Sequence, residues 1–222
     1  MILPPPLWSK APTQPRLLPG EIHLWRASLT ERERVQECSN VLSTDELIRA
    51  GRFAFDEDRT HFIIAHAALR TVLARYIGGE ARDLKFSIGE YGKPQLQQTF
   101  TDVRFNLSHT DGLALIAVSR GREVGVDVER VDDGIEFEQI ADHYFEPSET
   151  WDLRITPSEE RATRFFDVWT RKEAALKASG TGLGAVPDSR FCVRNLSPAA
   201  GYAGAVASEG EDWRLACWEW SL

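Results

Sequence analysis

Asp127 and Glu129 in the run Gly125-Val126-Asp127-Val128-Glu129, with Glu173 in Trp169-Thr170-Arg171-Lys172-Glu173-Ala174, are the side chains whose types and spacing best support chemistry. From Val124 onward the run alternates with period two. Val124, Val126 and Val128 therefore share one strand face, while Asp127 and Glu129 project together from the other. Two carboxylates on one face repel. Glu173 falls in a helical pattern with Phe166, Trp169, Leu176 and Lys177 at three- and four-residue spacing, on the edge of an apolar stripe. A carboxylate so placed needs a cation. Ligands that are all oxygen suit a hard ion such as magnesium, which leaves its remaining positions to water and substrate phosphates. The pattern thus points to phosphate chemistry. Plainer readings stand beside it: a solvated edge-strand face for the two acids of the strand, and for Glu173 an i,i+4 ion pair with Lys177 worth about 0.3–0.5 kcal/mol when exposed.

Other polar groups gather around this trio. Phe105-Asn106-Leu107-Ser108-His109-Thr110-Asp111-Gly112 is expected to end one strand and turn before the next, placing a hydroxyl, an imidazole and backbone amides on a loop. Adjacent Ser108 and His109 seldom have nucleophile-and-base geometry, and no third triad member is signalled, so phosphate contact is the better reading. Lys93 in Tyr91-Gly92-Lys93-Pro94, the series Arg49, Arg52 and Arg59, and Lys172 are cations in an acidic chain, and any one of them alone reads as surface. Ser179-Gly180-Thr181-Gly182-Leu183 stops a helix and lacks the Walker pattern of a nucleotide loop.

The elements that must position these groups follow from capping and periodicity. Glu21 to Ala27 reads as a strand. Thr30 with Glu33 and Ser43 with Glu46 have capping-box spacing and mark two short helices. Phe62, Ala65, Leu69, Val72, Leu73 and Tyr76 fit one face of a helix over about 57–76 that Gly78-Gly79 stops. Short strands are expected at 85–88, 94–96, 103–107 and 113–118, then the acidic strand 123–129. A helix near 136–144 follows, and then a longer one with Thr156 as N-cap, Pro157 at its first position and Glu159 completing the box. It ends at Gly180, after which 190–194 and 213–220 return as strands. The expected fold is α+β, with a proline-rich arm at 1–20 extended along the body and two related α+β halves, 21–121 and 122–222, the second carrying the metal site.

The 222 residues suffice for a substantial core, and a formal net charge of −8 argues against a nucleic-acid surface. Cys38, Cys192 and Cys217 are far apart without a CxxC pair, which indicates neither a disulfide framework nor a thiolate zinc site and fits a reducing cytoplasm. The proline-rich start reads as neither a signal peptide nor a membrane anchor.

In this order, the segments 92–94 (GKP), 105–112 (FNLSHTDG), 125–129 (GVDVE) and 169–183 (WTRKEAALKASGTGL) resemble the 4′-phosphopantetheinyl transferases of the Sfp type, in the branch carrying W/KEA. The resemblance spans about 90 residues. It implies a pseudo-twofold fold of two similar halves, coenzyme A as donor, Mg2+ as cofactor and a serine of an apo acyl or peptidyl carrier protein as acceptor. By position it makes Asp127, Glu129 and Glu173 the metal ligands and Lys177 the lysine at the reacting phosphate. Ser108 and His109 fall near the 3′-phosphate and pyrophosphate, with Lys93 and Lys172 as further phosphate contacts and Arg52 and Arg49 at the 3′-phosphate. The proton acceptor is open between Glu173, Glu129 and a metal-bound water, with Glu173 preferred. A complete cleft within one chain implies a monomer. The rival readings are a magnesium-dependent phosphohydrolase and a non-catalytic coenzyme A or carrier-binding module.

Overall fold

The computed structural model describes residues 8–89, 92–97, 102–181 and 188–222, so Tyr91, Gly182 and Leu183 of the motifs above lie outside the described residues. In chain order the elements are β1 (Ser9–Lys10), β2 (Glu21–Ser28), α1 (Val35–Ser39), α2 (Thr44–Ala50), α3 (Asp56–Ile77), β3 (Phe86–Ile88), β4 (Pro94–Leu96), β5 (Val103–Thr110) and β6 (Leu113–Arg120). Then come β7 (Val124–Arg130), α4 (Phe137–Tyr144), α5 (Pro147–Ile155), α6 (Ser158–Ser179), β8 (Phe191–Leu196), β9 (Tyr202–Glu209) and β10 (Arg214–Glu219). The architecture is α+β.

Strand alternation sorts the core into layers. In β2 and β6, Trp25, Ala27, Ala114, Ile116 and Val118 bury against Phe62, Ile64, Ala65, Leu69 and Leu73 of α3. The opposite faces of the same strands, Ile22, Leu24, Leu113, Leu115 and Ala117, pack on Val124, Val126 and Val128 of β7 and Val206 of β9. On its far side the second sheet carries α6 through Ala174, Ala175 and Ala178 against Ala205 and Ala207. Helix, sheet, sheet and helix are thus stacked as four layers, with the valine face of β7 turned inward as its alternation requires.

The larger sheet has the order β1-β10-β2-β6-β5 and the smaller β7-β9-β8. β2, β6 and β5 are joined antiparallel, as are β7, β9 and β8. In both sets the first strand in sequence pairs with the third, and a 22-residue helix precedes the second. β10 departs from this repeat by pairing parallel with β2, and β1 pairs parallel with β10, so Ser9 and Lys10 of the proline-rich arm lie along the sheet edge.

Several local expectations need correction. Ser43 forms its capping box with Glu46, but the Thr30 hydroxyl bonds Ser28 Oγ, and a 3₁₀ turn at Arg32–Arg34 leads into α1 without a side-chain cap. Thr156 terminates α5, its hydroxyl donating to the Asp152 carbonyl, while α6 begins after Pro157 with no side-chain cap. α5 itself, opened by Pro147 and a capping box between Glu146 and Glu149, and strand β9 were not anticipated. Ser108 and His109 lie within β5, paired with Leu115 and Ala114 of β6, rather than in a loop.

Candidate functional site

β5 and β7 lie alongside one another at the edges of the two sheets, and side chains of β5 close the gap. Asn106 Oδ1 accepts from the Val126 N–H at 2.9 Å, and Ser108 Oγ accepts from the Val128 N–H at 3.4 Å. These bonds satisfy the edge of β7 that faces away from β9. They also set the depth of Asp127, which is 2% exposed. Ser108 Oγ donates to Asp127 Oδ1 at 2.9 Å and accepts from Lys177 Nζ at 3.0 Å. One donated and two accepted bonds exhaust the capacity of a hydroxyl. Ser108 is therefore a brace for Asp127 and Lys177.

α6 brings Lys177 to this point because nothing stands between its backbone and β7. A Cβ on Gly125 would lie 2.1 Å from the Ala174 carbonyl oxygen and 2.4 Å from the Ala178 nitrogen. The helix can rest directly on the strand only where that residue is glycine. Ala174 and Ala178 are the helix side of the same close approach, and Lys177 and Glu173, one turn apart, ride on it. Lys177 Nζ reaches Asp127 Oδ1 at 2.5 Å. Lys93 secures the end of the helix: its ammonium donates to the Ala178 carbonyl at 3.0 Å, the Val124 carbonyl at 3.3 Å and Glu123 Oε2 at 2.8 Å.

The charges of the trio act on one another. Burial raises the Glu129 carboxyl to about 7, with Asp127 and Glu173 adding to the rise and Lys177 and the Thr110 hydrogen bond opposing it. Glu173 is raised by burial and by Asp127, against Lys177. Asp127 Oδ2 is buried with no hydrogen-bond partner. Among the described residues, however, no three His, Cys, Asp or Glu side chains are gathered as a metal-binding group. The ligand set expected from sequence is not preassembled: the Lys177 ammonium is the cation at Asp127, and carboxylates that repel do not converge without one. The chemistry of the group still fits a hard divalent ion. All three donors are carboxylate oxygens, one buried oxygen is orphaned, and both glutamates are strained by like charge. Beside Glu129 opens a cleft of about 720 Å3 lined by Phe165, Phe166, Trp169, Thr110 and Asp132 among others.

On the other side of β5 the potential reverses. The His109 side chain is exposed at the surface yet crowded by neighbouring atoms. That desolvation, joined by the positive charges of His66, His61, Lys177 and Arg49, lowers its pKa to about 4. Arg49 stacks its guanidinium on the Phe62 ring, 5.1 Å from the centroid. Arg52 is exposed at the end of α2, and Arg59 pairs with Asp56. Lys172 points elsewhere, paired with Glu149 of α5 at 2.8 Å. Of the residues singled out from sequence, Asp127, Lys177 and Ser108 are joined by hydrogen bonds, Glu129 and Glu173 are coupled to Asp127 by charge, His109 and Arg49 interact on the other side of β5, and Lys93 and Lys172 are engaged in holding helices. Gly125, Asn106 and Thr110 were passed over. For all three the only signal is their place inside the quoted motifs.

Two comparisons with known proteins bear on this site. Residues 123–221 match the family described as the 4′-phosphopantetheinyl transferase superfamily, and residues 24–121 match one described as 4′-phosphopantetheinyl transferase, N-terminal. The 4′-phosphopantetheinyl transferase HetI of a Nostoc species is 38% identical over 195 residues, covering 86% of this chain and 82% of HetI. The 4′-phosphopantetheinyl transferase Sfp of Bacillus subtilis is 30% identical over 163 residues, 73% of this chain and 70% of Sfp.

Proposed function

The chain belongs to the 4′-phosphopantetheinyl transferases, and on that premise we propose that it moves the phosphopantetheine arm of coenzyme A onto a serine of an apo acyl or peptidyl carrier protein. The serine oxygen attacks the β-phosphorus, the bond from that phosphorus to the bridging oxygen breaks, and adenosine 3′,5′-bisphosphate leaves with the electron pair. The observation that carries this reading is the junction of α6 with β7 and β5. There the Lys177 ammonium and the braced, half-satisfied Asp127 carboxylate stand near two carboxyls of raised pKa, of which Glu129 lines the cleft.

Asp127, Glu129 and Glu173 would hold Mg2+, which when bound supplies charge neutralisation to the diphosphate. Lys177, 31% exposed at its side chain, exchanges its contact with Asp127 for the reacting phosphate and offsets charge on the leaving group. Glu173 takes the serine proton. His109 and Arg49 receive the anionic end of the coenzyme.

Residues 21–121 and 122–222 read as two related α+β halves, a relation supported by the shared strand order of β2-β6-β5 and β7-β9-β8. Since one chain supplies every group named, the working unit is a monomer. Cys38, Cys192 and Cys217 are free thiols, which suits the cytoplasm; no helix among the described residues is long and apolar enough to cross a membrane.

Intact-mass analysis of an apo carrier protein incubated with the enzyme, coenzyme A and Mg2+ tests the proposal. A gain of one phosphopantetheine is expected, and Asp127→Ala or Glu173→Ala should reduce the rate at least a hundredfold without loss of helical signal. Turnover near wild type in either variant would overturn the site.

A further inference from the structure

Asp127 and Glu129 stand on β7 and the Lys177 ammonium stands on α6, so the chemistry depends on how firmly the end of α6 is held against β7. Lys177 falls in the last turn of the helix, which ends at Ser179 and is stopped by Gly180 in the left-handed region at φ +70°. The carbonyls of a last turn have no partner within the helix, and helix ends fray. A lysine placed there is steady only if the turn is fixed from outside.

Lys93 fixes it, and it arrives from the first half of the chain. It directly precedes β4, and its carbonyl accepts from the Gly89 N–H at 2.9 Å beside the β3–β4 pair. Its stem runs past the helix stop, where a Cβ on Gly180 would lie 3.9 Å from Lys93 Cδ. The ammonium then donates to the carbonyl of Ala178, next to Lys177, to that of Val124, next to Gly125, and to Glu123. Glu123 is held in turn, because Arg104 Nε of β5 donates to its other oxygen at 3.0 Å. One side chain thus ties the last turn of α6 to the start of β7 at the point where the two backbones touch.

An ammonium has three N–H groups, and these three bonds use all of them. The Lys93 side chain is also only 11% exposed. No donor is left for a phosphate oxygen, although the place of Lys93 in GKP reads as a phosphate contact. A cation at a helix C-terminus complements the helix dipole, so the arrangement needs no ligand to stabilise it.

We propose that Lys93 is a positioning residue for the transfer step: it sets the Lys177 ammonium in place by fixing the last turn of α6 on β7, and it does not touch the coenzyme. The assignment rests on the reading of the β5–β7 junction as the transfer site.

Steady-state transfer to an apo carrier is measured with coenzyme A varied at saturating Mg2+. Lys93→Met keeps the stem and removes the donors. It should lower kcat at least about tenfold, as a small misplacement of a reacting group does, while KM for coenzyme A moves less than about twofold. A phosphate contact would instead raise KM, by about tenfold for one charge-assisted hydrogen bond. In a Lys177→Ala background, Lys93→Met should lower kcat by less than about a further twofold, because no ammonium remains to be placed, whereas a clamp that only stabilises the fold would show its full effect in both backgrounds. Glu123→Gln, which leaves the ammonium without a charged partner, should reproduce the kcat loss in smaller measure with KM unchanged, and it carries the test if thermal melts show that Lys93→Met fails to fold. A rise in KM, an unchanged kcat, or effects of Lys93→Met and Lys177→Ala that multiply would overturn the proposal. If the wild-type protein transfers nothing, the transfer reading itself falls, and this assignment with it.

Discussion

Burial by itself would raise the Glu46 carboxyl, yet hydrogen bonds from His66, the Ser43 N–H and Arg70 reverse that and hold it at about 2, against an ordinary value of 4.5. A depressed carboxyl contributes stability that is complete above its unfolded pKa and is lost as pH falls through the folded one. Glu46→Gln should therefore cost of the order of 2–3 kcal/mol at pH 7, a deficit that closes as pH drops from about 4.5 towards 2. Denaturant melts of the two proteins across that window check it, and a deficit independent of pH would show that the carboxylate charge contributes nothing. Residues of this kind separate what was legible in the sequence from what was not. Asp127 and Glu129 declare themselves because period-two alternation with valines is a local signal, and Ser43 with Glu46 is a local signal too. The partners of Lys93 are 30, 31 and 85 residues away, and those of Ser108 are 19, 20 and 69 away. No spacing rule reaches that far. A lysine that reads as a phosphate contact by position is, in the folded chain, a clamp on the end of α6.

At the scale of elements, the contact between α6 and β7 decides whether a site exists. Gly125→Ala places a methyl within 2.1 Å of the Ala174 carbonyl oxygen, and backbone cannot move aside as a side chain does. Overpacking of this kind costs about 3 kcal/mol, or roughly 6–12 °C in Tm for a chain of this size. Because α6 must lift to admit the methyl, kcat should fall at least tenfold in the fraction that folds. Scanning calorimetry with carrier-loading assays below the transition measures both; an unchanged kcat would mean that the site tolerates displacement of the helix. The same close packing explains what periodicity missed. β9, Tyr-Ala-Gly-Ala-Val-Ala-Ser-Glu, is built of small residues of weak strand propensity, and it is small because α6 lies on it. α5 carries no standard start signal, because its capping box uses Glu146 in place of serine or threonine, while Thr156-Pro157-Ser158-Glu159 imitates a helix start at the point where α5 stops.

At the scale of the whole molecule, the repeated strand order supports a reading as two halves, but the chain does not divide cleanly between them. β10, which follows every element of the second half, completes the first sheet by pairing parallel with all six positions from Glu21 to Arg26. Trp220 beyond it donates from Nε1 to Thr71 of α3 at 2.8 Å. The inner faces of the two sheets share one core, in which Ile22, Leu24 and Leu115 meet Val124, Val126 and Val206. The pattern over 213–220 marks a strand but not the sheet that receives it, since a parallel partner nearly 200 residues away leaves no local trace. The energetic consequence is shared stability: removing either half strips an apolar face from the other, and separating the halves also removes β10 from the edge of β2. Thermal unfolding of the intact chain should accordingly be a single transition with calorimetric and van't Hoff enthalpies equal within error. A fragment ending near residue 121 should show neither a cooperative melt nor protected amides in β2. Two resolved transitions, or a folded amino-terminal fragment, would mean that the interface between the sheets is incidental and that the site at the β5–β7 junction is held by its own contacts alone.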